Sequence, residues 1–560
     1  MCGIAGIISN KPLDNMLSLL KKMSDAVAHR GPDGEGQWSN GNNTVGLAHR
    51  RLSIIDTSEK GGQPMHYQNR YSITYNGEIY NYKELRAELE KKGHQFISST
   101  DTEVLLGLYA EYGNACLTKL DGMFAFAIYD EKEQTLFCAR DRFGEKPFFY
   151  KHDKQSFYFG SEMKALWAAG IHKEENPTMQ YNYLAYGFLK NPKNIGATFY
   201  RNIYELPPAH FMLYDIASDT LKLTEYYQIH TQEKKIENPS EQLRILLNES
   251  VAHRLRSDVA VGCSLSGGLD SSLIATLIKE TIGDAELKTF SAVFPGYQKD
   301  ESAFITATAK KINCNSFVVT PSLADYESEK ERFLWHQEEP VVDESPFILY
   351  KVYELARKNN SKVLLDGQGA DEIFAGYHAY YFTYLRELRK QNRKLYTREN
   401  KLFKKLAKSG VVNDYRFFRR QNNLSKLFGN KLSDIRTWKQ KIDQLRSQKV
   451  NASLFKTEHK NSFMRPYHFN NLNEHLQHDA TKGKLQTLLR YADRSAMAHG
   501  VEIRLPYLSH KVVNLLFSLP AEYKIKEGWT KWILRDAFSE KLPKEVAWRR
   551  DKVGAEGELK

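Results

Sequence analysis

Residues 260–280 read AVGCSLSGGLDSSLIATLIKE. An apolar run enters a Gly/Ser-rich turn, SGGLDSS, and passes straight into an amphipathic helical pattern. Glycines let a backbone approach a ligand closely. Serine hydroxyls and helix N-terminal N–H groups bind phosphate, and an acid such as Asp270 can hold Mg2+. The spacing GxxxxGK[ST] is absent, which excludes a Walker-type loop. Downstream and upstream of this turn, apolar runs at DVAVGCSLS, KTFSAVF, SFVVT and KVLLDG alternate with helical periodicity from about Ser240 onward. That alternation predicts an α/β unit, a parallel sheet with crossover helices, extended by a mainly helical C-terminal third.

The first 165 or so residues differ. Short aromatic and β-branched runs (TVGLAH, YSITYNGEIYN, MFAFAIYD, TLFCARD, FYFGSE) are punctuated by NG, DG and GP, and helical patterns intervene at NMLSLLKKMSDAV, YKELRAELEKKG and DTEVLLGLYAEYG. Layered α and β is expected rather than a sandwich. The polar stretch IHTQEKKIENPSEQ, residues 229–242, reads as the linker between units 1–228 and 243–560. A chain of 560 residues accommodates two or three large domains at about 150 residues each.

Composition narrows the class. Hydrophobic residues at 41% and charged residues at 26% describe globular cores rather than disorder or a disulfide scaffold. No apolar run reaches the roughly 18 residues of a membrane span, and the N-terminus has no secretory pattern. Five cysteines, Cys2, Cys116, Cys138, Cys263 and Cys314, form no CxxC or Cys/His pair, so neither a zinc site nor a disulfide framework is expected, and a cytoplasmic location fits. The net charge of +12 is local: residues 386–449 hold 20 Lys and Arg against 5 Asp and Glu, leaving −3 for the remainder. The Leu and Phe at helical spacing in that segment read as solvated faces of surface helices, without a nucleic-acid motif.

Cys2 follows the initiator methionine. Removing Met1 would leave a cysteine whose own α-amine, of unperturbed pKa about 8, can serve the thiol as base. Around it stand CGIAGI, AHRGPDGEG (28–36), AHRRLSIID (48–56) and TYNGEIYNY (74–82). In this order and spacing the motifs resemble the N-terminal-nucleophile, class II glutamine amidotransferase domain. The resemblance implies an αββα layered fold, Cys2 as nucleophile on the glutamine amide, and Asn76 with the Gly77 N–H as oxyanion hole. It further implies a glutamine pocket built by Arg51, Leu52, Ser53, Ile54, Ile55, Asn76, Gly77, Glu78 and Asp101, with Arg51 on the α-carboxylate and the acids on the α-ammonium. His29 and Arg30 belong to the motif with a structural place.

SGGLDSS itself resembles the PP-loop of enzymes that split ATP into AMP and pyrophosphate. VLLDGQGADEIFAGY (363–377), RYADRSAMAHGVEIRLPYL (490–508) and EGWTKWILRDAF (527–538) extend the likeness to the synthetase half of asparagine synthetases. By that resemblance ATP is held by Leu265, Ser266, Gly267, Gly268, Asp270, Ser271, Ser272, Ala292, Asp366 and Gly367. Asp270 and Asp371 would hold Mg2+, and Lys531 would meet the leaving pyrophosphate. Together the halves resemble glutamine-hydrolysing asparagine synthetase over nearly the whole chain. A carboxylate resists ammonia until it becomes an acyl-adenylate, and neutral ammonia needs a protected passage between the two sites.

Three departures fall on the adenylation and acceptor side. The family's glutamate in SGEGxDE is Gln368 and its serine is Asp366; the expected valine is Ala292; the aspartate closing RVPFLD is Ser509. Aspartate is the first expected acceptor, with another carboxylate such as a sugar uronic acid as the alternative. A β-lactam-type ring closure is disfavoured by Cys2, and a non-enzymatic nucleic-acid binder by Cys2 and SGGLDSS. Small-molecule substrates are expected as partners, with no nucleic acid and no membrane insertion; a homodimer is one assembly the reading admits.

Overall fold

The computed structural model describes residues 2–191, 193–409 and 469–550. Two six-stranded antiparallel sheets form the N-terminal half. The first runs β10-β8-β9-β1-β3-β2, comprising Tyr204–Glu205, Phe149–Asp153, Ser156–Gly160, Gly3–Ser9, Val45–Arg51 and Gly34–Ser39. The second runs β12-β11-β7-β6-β5-β4, comprising Thr220–Glu225, His210–Asp215, Thr135–Arg140, Gly122–Asp130, Tyr71–Ile79 and Met65–Tyr67. Their facing sides share one core, in which Ile4, Ile8, Val45 and Leu47 meet Ala125, Ala127, Tyr129 and Met212. Helices Met16–Ala26 and Met163–Ala168 cover the outer face of the first sheet. Helices Tyr82–Lys91 and Asp101–Tyr112 cover the second. Helix, sheet, sheet and helix are thus stacked in four layers, each sheet burying one face against the other sheet and one against its helices.

The C-terminal half holds a five-stranded parallel sheet in the order β15-β14-β13-β16-β17: Asn315–Val319, Lys288–Ala292, Val261–Ser264, Val363–Leu365 and Glu502–Arg504. Four of these strands were expected from their apolar runs; β17 was not, since HGVEIRLP alternates charge with apolar residues. Both of its charged residues are nevertheless fully buried. The chain proceeds from β13 to β14 on one side and later to β16 on the other. This topological switch point opens a crevice at the carboxyl ends of β13 and β16, where ligands of α/β sheets bind.

The two halves meet through Leu52, Ile54, Tyr80 and Met123 packed on Val363 and Met497. Helix Pro239–Arg254 opens the second half inside the expected linker, and residues 229–237 run without regular structure, hydrogen-bonded to Gln477 and Ser518. In the basic segment, helix Arg393–Lys408 buries Glu399, Phe403 and Leu406 and exposes Arg393, Lys394, Arg398, Lys401, Lys404, Lys405 and Lys408. Residues 410–449 of that segment lie outside the described residues. Among the described residues no helix is long and apolar enough to cross a membrane.

Candidate active site

Cys2 leads into β1 and is buried. Burial pushes its thiol above the usual range, and the charges of Glu78 and Glu502 act in the same direction, whereas a hydrogen bond to the Leu52 main chain acts against them. A thiol held protonated in this way needs a base. Its own main-chain nitrogen is fixed at 2.9 Å by donation to Asn76 Oδ1. Asn76 is fully buried on β5, and its Nδ2 has no hydrogen-bond partner. A buried amide donor without a partner costs about 1–3 kcal/mol, and this one is free to meet an acceptor beside Cys2. Gly77 follows on the same strand. A Cβ there would stand 2.2 Å from the Met123 carbonyl oxygen, so the close pairing of β5 with β6 admits only glycine.

The cavity beside Cys2 is lined by Arg51, Leu52, Ile54, Ile55, Gly77, Glu78 and Asp101, all anticipated, together with Gly61, Gln63, Tyr75, Thr100 and Thr102, which were not. Ser53 does not line it; its N–H donates to Asp33 at 2.9 Å. Arg51 is held by the carbonyls of Asp56 and of Ser58, the latter at 2.6 Å. Asp101 Oδ2 accepts from the Tyr75 hydroxyl and the Ile79 N–H, both at 2.9 Å. Burial nevertheless raises the Asp101 carboxyl to about 6. Glu78 is raised further by burial and by the neighbouring Glu502 and Asp101, and its Oε2 has no hydrogen-bond partner. A cation arriving between the two carboxyls would favour their ionised forms.

Gln63 fixes this wall, accepting from the Tyr75 N–H at 2.7 Å and donating to the Thr102 hydroxyl at 3.3 Å. Glu502 and Arg504 stand on β17 behind the Glu78 wall of the pocket. Arg504 forms an ion pair with Glu502 at 2.6 Å and approaches Glu78 at 3.7 Å. Neither carries a motif role in sequence, because the contact exists only once the two halves dock.

The second cluster sits at the switch point. After β13 the chain turns at Gly267, φ +77°, and starts helix Leu269–Ile282 from Gly268. Ser266 and Ser271 share a hydroxyl contact at 2.9 Å, and the Ser266 N–H donates to Ser271 Oγ at 3.1 Å. Ser272 is buried within the first turn, Leu265 pairs with the Phe290 carbonyl at 2.9 Å, and Ala292 ends β14. The loop after β16 closes on this turn: a Cβ on Gly367 would stand 3.0 Å from Ser271 N.

Lys531, held at φ +52°, forms ion pairs with Asp270 and with Asp371, the latter at 2.7 Å. Burial pulls the ammonium down, but the two carboxylates outweigh it and hold its pKa above the ordinary value. Two acids from separate strand ends thus converge on one cation, and Asp270 Oδ1 remains buried without a hydrogen-bond partner. Hard oxygen ligands of this kind fit a divalent cation. Asp366 is buried away from solvent. It accepts the Gln368 N–H at 3.0 Å, and burial raises its carboxyl. Its charge is spent on the loop, whereas Gln368 Oε1 is buried without a partner.

With these two clusters in one chain, the comparisons with known proteins become decisive. The glutamine amidotransferase domain family matches residues 1–227 and the asparagine synthase family residues 242–559. The chain belongs to the asparagine synthase family. Asparagine synthetase [glutamine-hydrolyzing] 1 of Bacillus subtilis is 33% identical over 99% of this chain and 86% of its own length. Putative asparagine synthetase [glutamine-hydrolyzing] 2 of Methanocaldococcus jannaschii is 37% identical over 70% of this chain and 79% of its own. Asparagine synthetase [glutamine-hydrolyzing] 3 of B. subtilis is 30% identical over 98% and 86%.

Proposed function

We propose that this member of the asparagine synthase family is an ATP-dependent ligase that amidates aspartate with ammonia taken from glutamine, giving asparagine, glutamate, AMP and pyrophosphate. The observation that carries the reading is the joint presence of the Cys2–Asn76 pair and the Asp270–Lys531–Asp371 cluster on two docked halves of one chain. Residues 1–228 are the glutaminase, with an N-terminal-nucleophile layering, and residues 243–560 the synthetase, with a PP-loop. Once Met1 is removed, the Cys2 amine takes the thiol proton and Sγ attacks the glutamine amide carbon. The C–S bond forms as the carbonyl electrons move to oxygen, where Asn76 Nδ2 and the Gly77 N–H receive the charge. The ammonium then returns its proton to the departing nitrogen, ammonia leaves, and water cleaves the thioester to glutamate. Arg51 holds the substrate carboxylate, and Glu78 and Asp101 its ammonium.

In the synthetase, Ser266, Gly267, Gly268, Ser271 and Ser272 cradle the ATP phosphates, with Leu265, Ala292, Asp366 and Gly367 around the nucleotide. Asp270 and Asp371 would hold Mg2+, which when bound neutralises phosphate charge. Lys531 stabilises pyrophosphate as the acceptor carboxylate takes the α-phosphorus. Leu52, Ile54 and Met123 pack with Val363 and Met497 between the halves, and an apolar surface of this kind would suit the passage of neutral ammonia better than ammonium. A carboxylate acceptor other than aspartate, such as a uronic acid, is the second reading. It is favoured by Gln368, whose unpartnered Oε1 suits a hydroxyl or ammonium donor without supplying a charge. Acceptor-dependent pyrophosphate release over a panel of carboxylates tests both. Release with aspartate alone supports the first reading, and release with a uronate but not aspartate replaces it.

A further inference from the structure

Arg30 is fully buried where the two halves meet. Its Nε donates to the carbonyl oxygen of Cys2 at 3.1 Å. Its two terminal nitrogens fork onto Asp493 at 2.8 and 3.0 Å, and Nη1 also reaches Glu162 at 2.8 Å. Asp493 belongs to helix Lys484–Met497 of the C-terminal half. The next residue, Arg494, pairs with Glu162 at 2.9 Å and with Glu338 at 2.8 Å. Glu338 accepts the N–H groups of Met163 and Lys164 at 3.1 and 2.7 Å, and Lys164 pairs with Glu162. Three buried cations, Arg30, Lys164 and Arg494, therefore face three buried carboxylates, Glu162, Glu338 and Asp493. Removing one partner of such a set leaves an uncompensated buried charge.

Packing alone would let the network end anywhere on the interface. It ends on the main chain of the nucleophile. The Cys2 carbonyl is one bond from the Cα that carries both the thiol and the amine, so the tilt of that peptide plane aims Sγ relative to Asn76. The forked Arg30–Asp493 contact restrains the guanidinium plane in a way that one point contact cannot.

We propose that Asp493 is a positioning residue for glutamine hydrolysis: through Arg30, the C-terminal half holds the Cys2 main chain in its reactive orientation, and the glutaminase site is complete only with that helix docked. This rests on the reading of Cys2 as nucleophile. The glutamine side of the pocket is built by Arg51, Glu78 and Asp101, none of which touches Asp493, so binding and turnover separate cleanly.

The test uses the full chain with Asp493→Asn, which keeps an acceptor oxygen and the side-chain volume, and measures glutamate release alongside ammonia-dependent synthesis. Expected are a fall in glutaminase kcat of about tenfold to a hundredfold, a glutamine KM within about threefold of the parent, and unchanged ammonia-dependent synthesis. In an Arg30→Gln background, Asp493→Asn should add no further loss, since both act through one contact. An unchanged kcat, an effect confined to KM, or losses that multiply in the double variant would overturn the proposal. A parallel loss of ammonia-dependent synthesis would overturn it too, by making Asp493 a residue of general stability. Cys2→Ala separates the layers: if it retains glutaminase the nucleophile reading fails, and if it is inactive while Asp493→Asn is normal only the positioning role fails.

Discussion

Replacing Asn76 by alanine removes one buried donor and one fixed contact. Asn76 Nδ2 has no partner in the resting structure, so the free protein loses little on that side. As the proposed oxyanion donor it would face charge that exists only in the tetrahedral species, so the loss during the reaction should be large. Deleting one oxyanion donor costs about 2.7–4 kcal/mol, or roughly 10²–10³ in kcat. The lost Oδ1 contact to the Cys2 nitrogen, 2.9 Å long, pushes in the same direction by loosening the base. In the proposed site Arg51, Glu78 and Asp101 rather than Asn76 would hold glutamine, so KM should stay within about threefold. Steady-state glutamate release gives both constants, and ammonia-dependent synthesis in the same preparation should match the parent. A kcat within threefold of the parent would refute the oxyanion assignment. A parallel fall in ammonia-dependent synthesis would show damage beyond the glutaminase.

Asp270→Asn and Asp371→Asn should each abolish acceptor-dependent pyrophosphate release while glutaminase turnover persists, because either amide leaves the phosphate cluster one charge short; normal ATP cleavage in either variant would remove the metal assignment. Glutaminase kcat/KM should fall as pH drops through about 6, since Asp101 binds the substrate ammonium only when ionised and its folded-state pKa is raised to about 6; a profile flat from pH 5 to 7 contradicts this. The same raised pKa makes the folded state bind a proton more tightly than the unfolded chain, so Asp101 contributes a stability that declines as pH rises from about 4 through 6, measurable as a shift in urea midpoint that Asp101→Asn removes. Gln368→Glu should preserve or raise aspartate-dependent pyrophosphate release, and a collapse would show that the amide is read directly by the acceptor.

Much of the glutaminase was legible because its residues sit in contiguous runs. Cys2, Arg51 and Glu78 lie in or beside strands, Asp101 opens a helix, and all four line one cavity, with Asn76 beside it on the Cys2 nitrogen. Gln63 and Tyr75 escaped notice because their work is done by an amide on a main-chain N–H and by a hydroxyl on Asp101, contacts with no local pattern. Glu502, Arg504 and Asp493 were quoted as part of a motif without a role, since a charged residue in a short strand or on a helix reads as solvent-facing until the other half of the chain buries it. Asp366 shows the same limit. It stands where the family has a serine, and nothing in the sequence showed that its buried side chain accepts the Gln368 N–H of its own loop.

The central claim is that glutamine nitrogen is delivered to an adenylated acceptor within one chain. Incubation with amide-15N glutamine, ATP, Mg2+ and aspartate in a large excess of unlabelled ammonium tests it most directly, with product, AMP and pyrophosphate measured together. Transfer within the chain yields asparagine carrying 15N well above the label content of free ammonia, with AMP and pyrophosphate formed in equal amounts. Label found only in free ammonia, with no aspartate-dependent AMP, would contradict it.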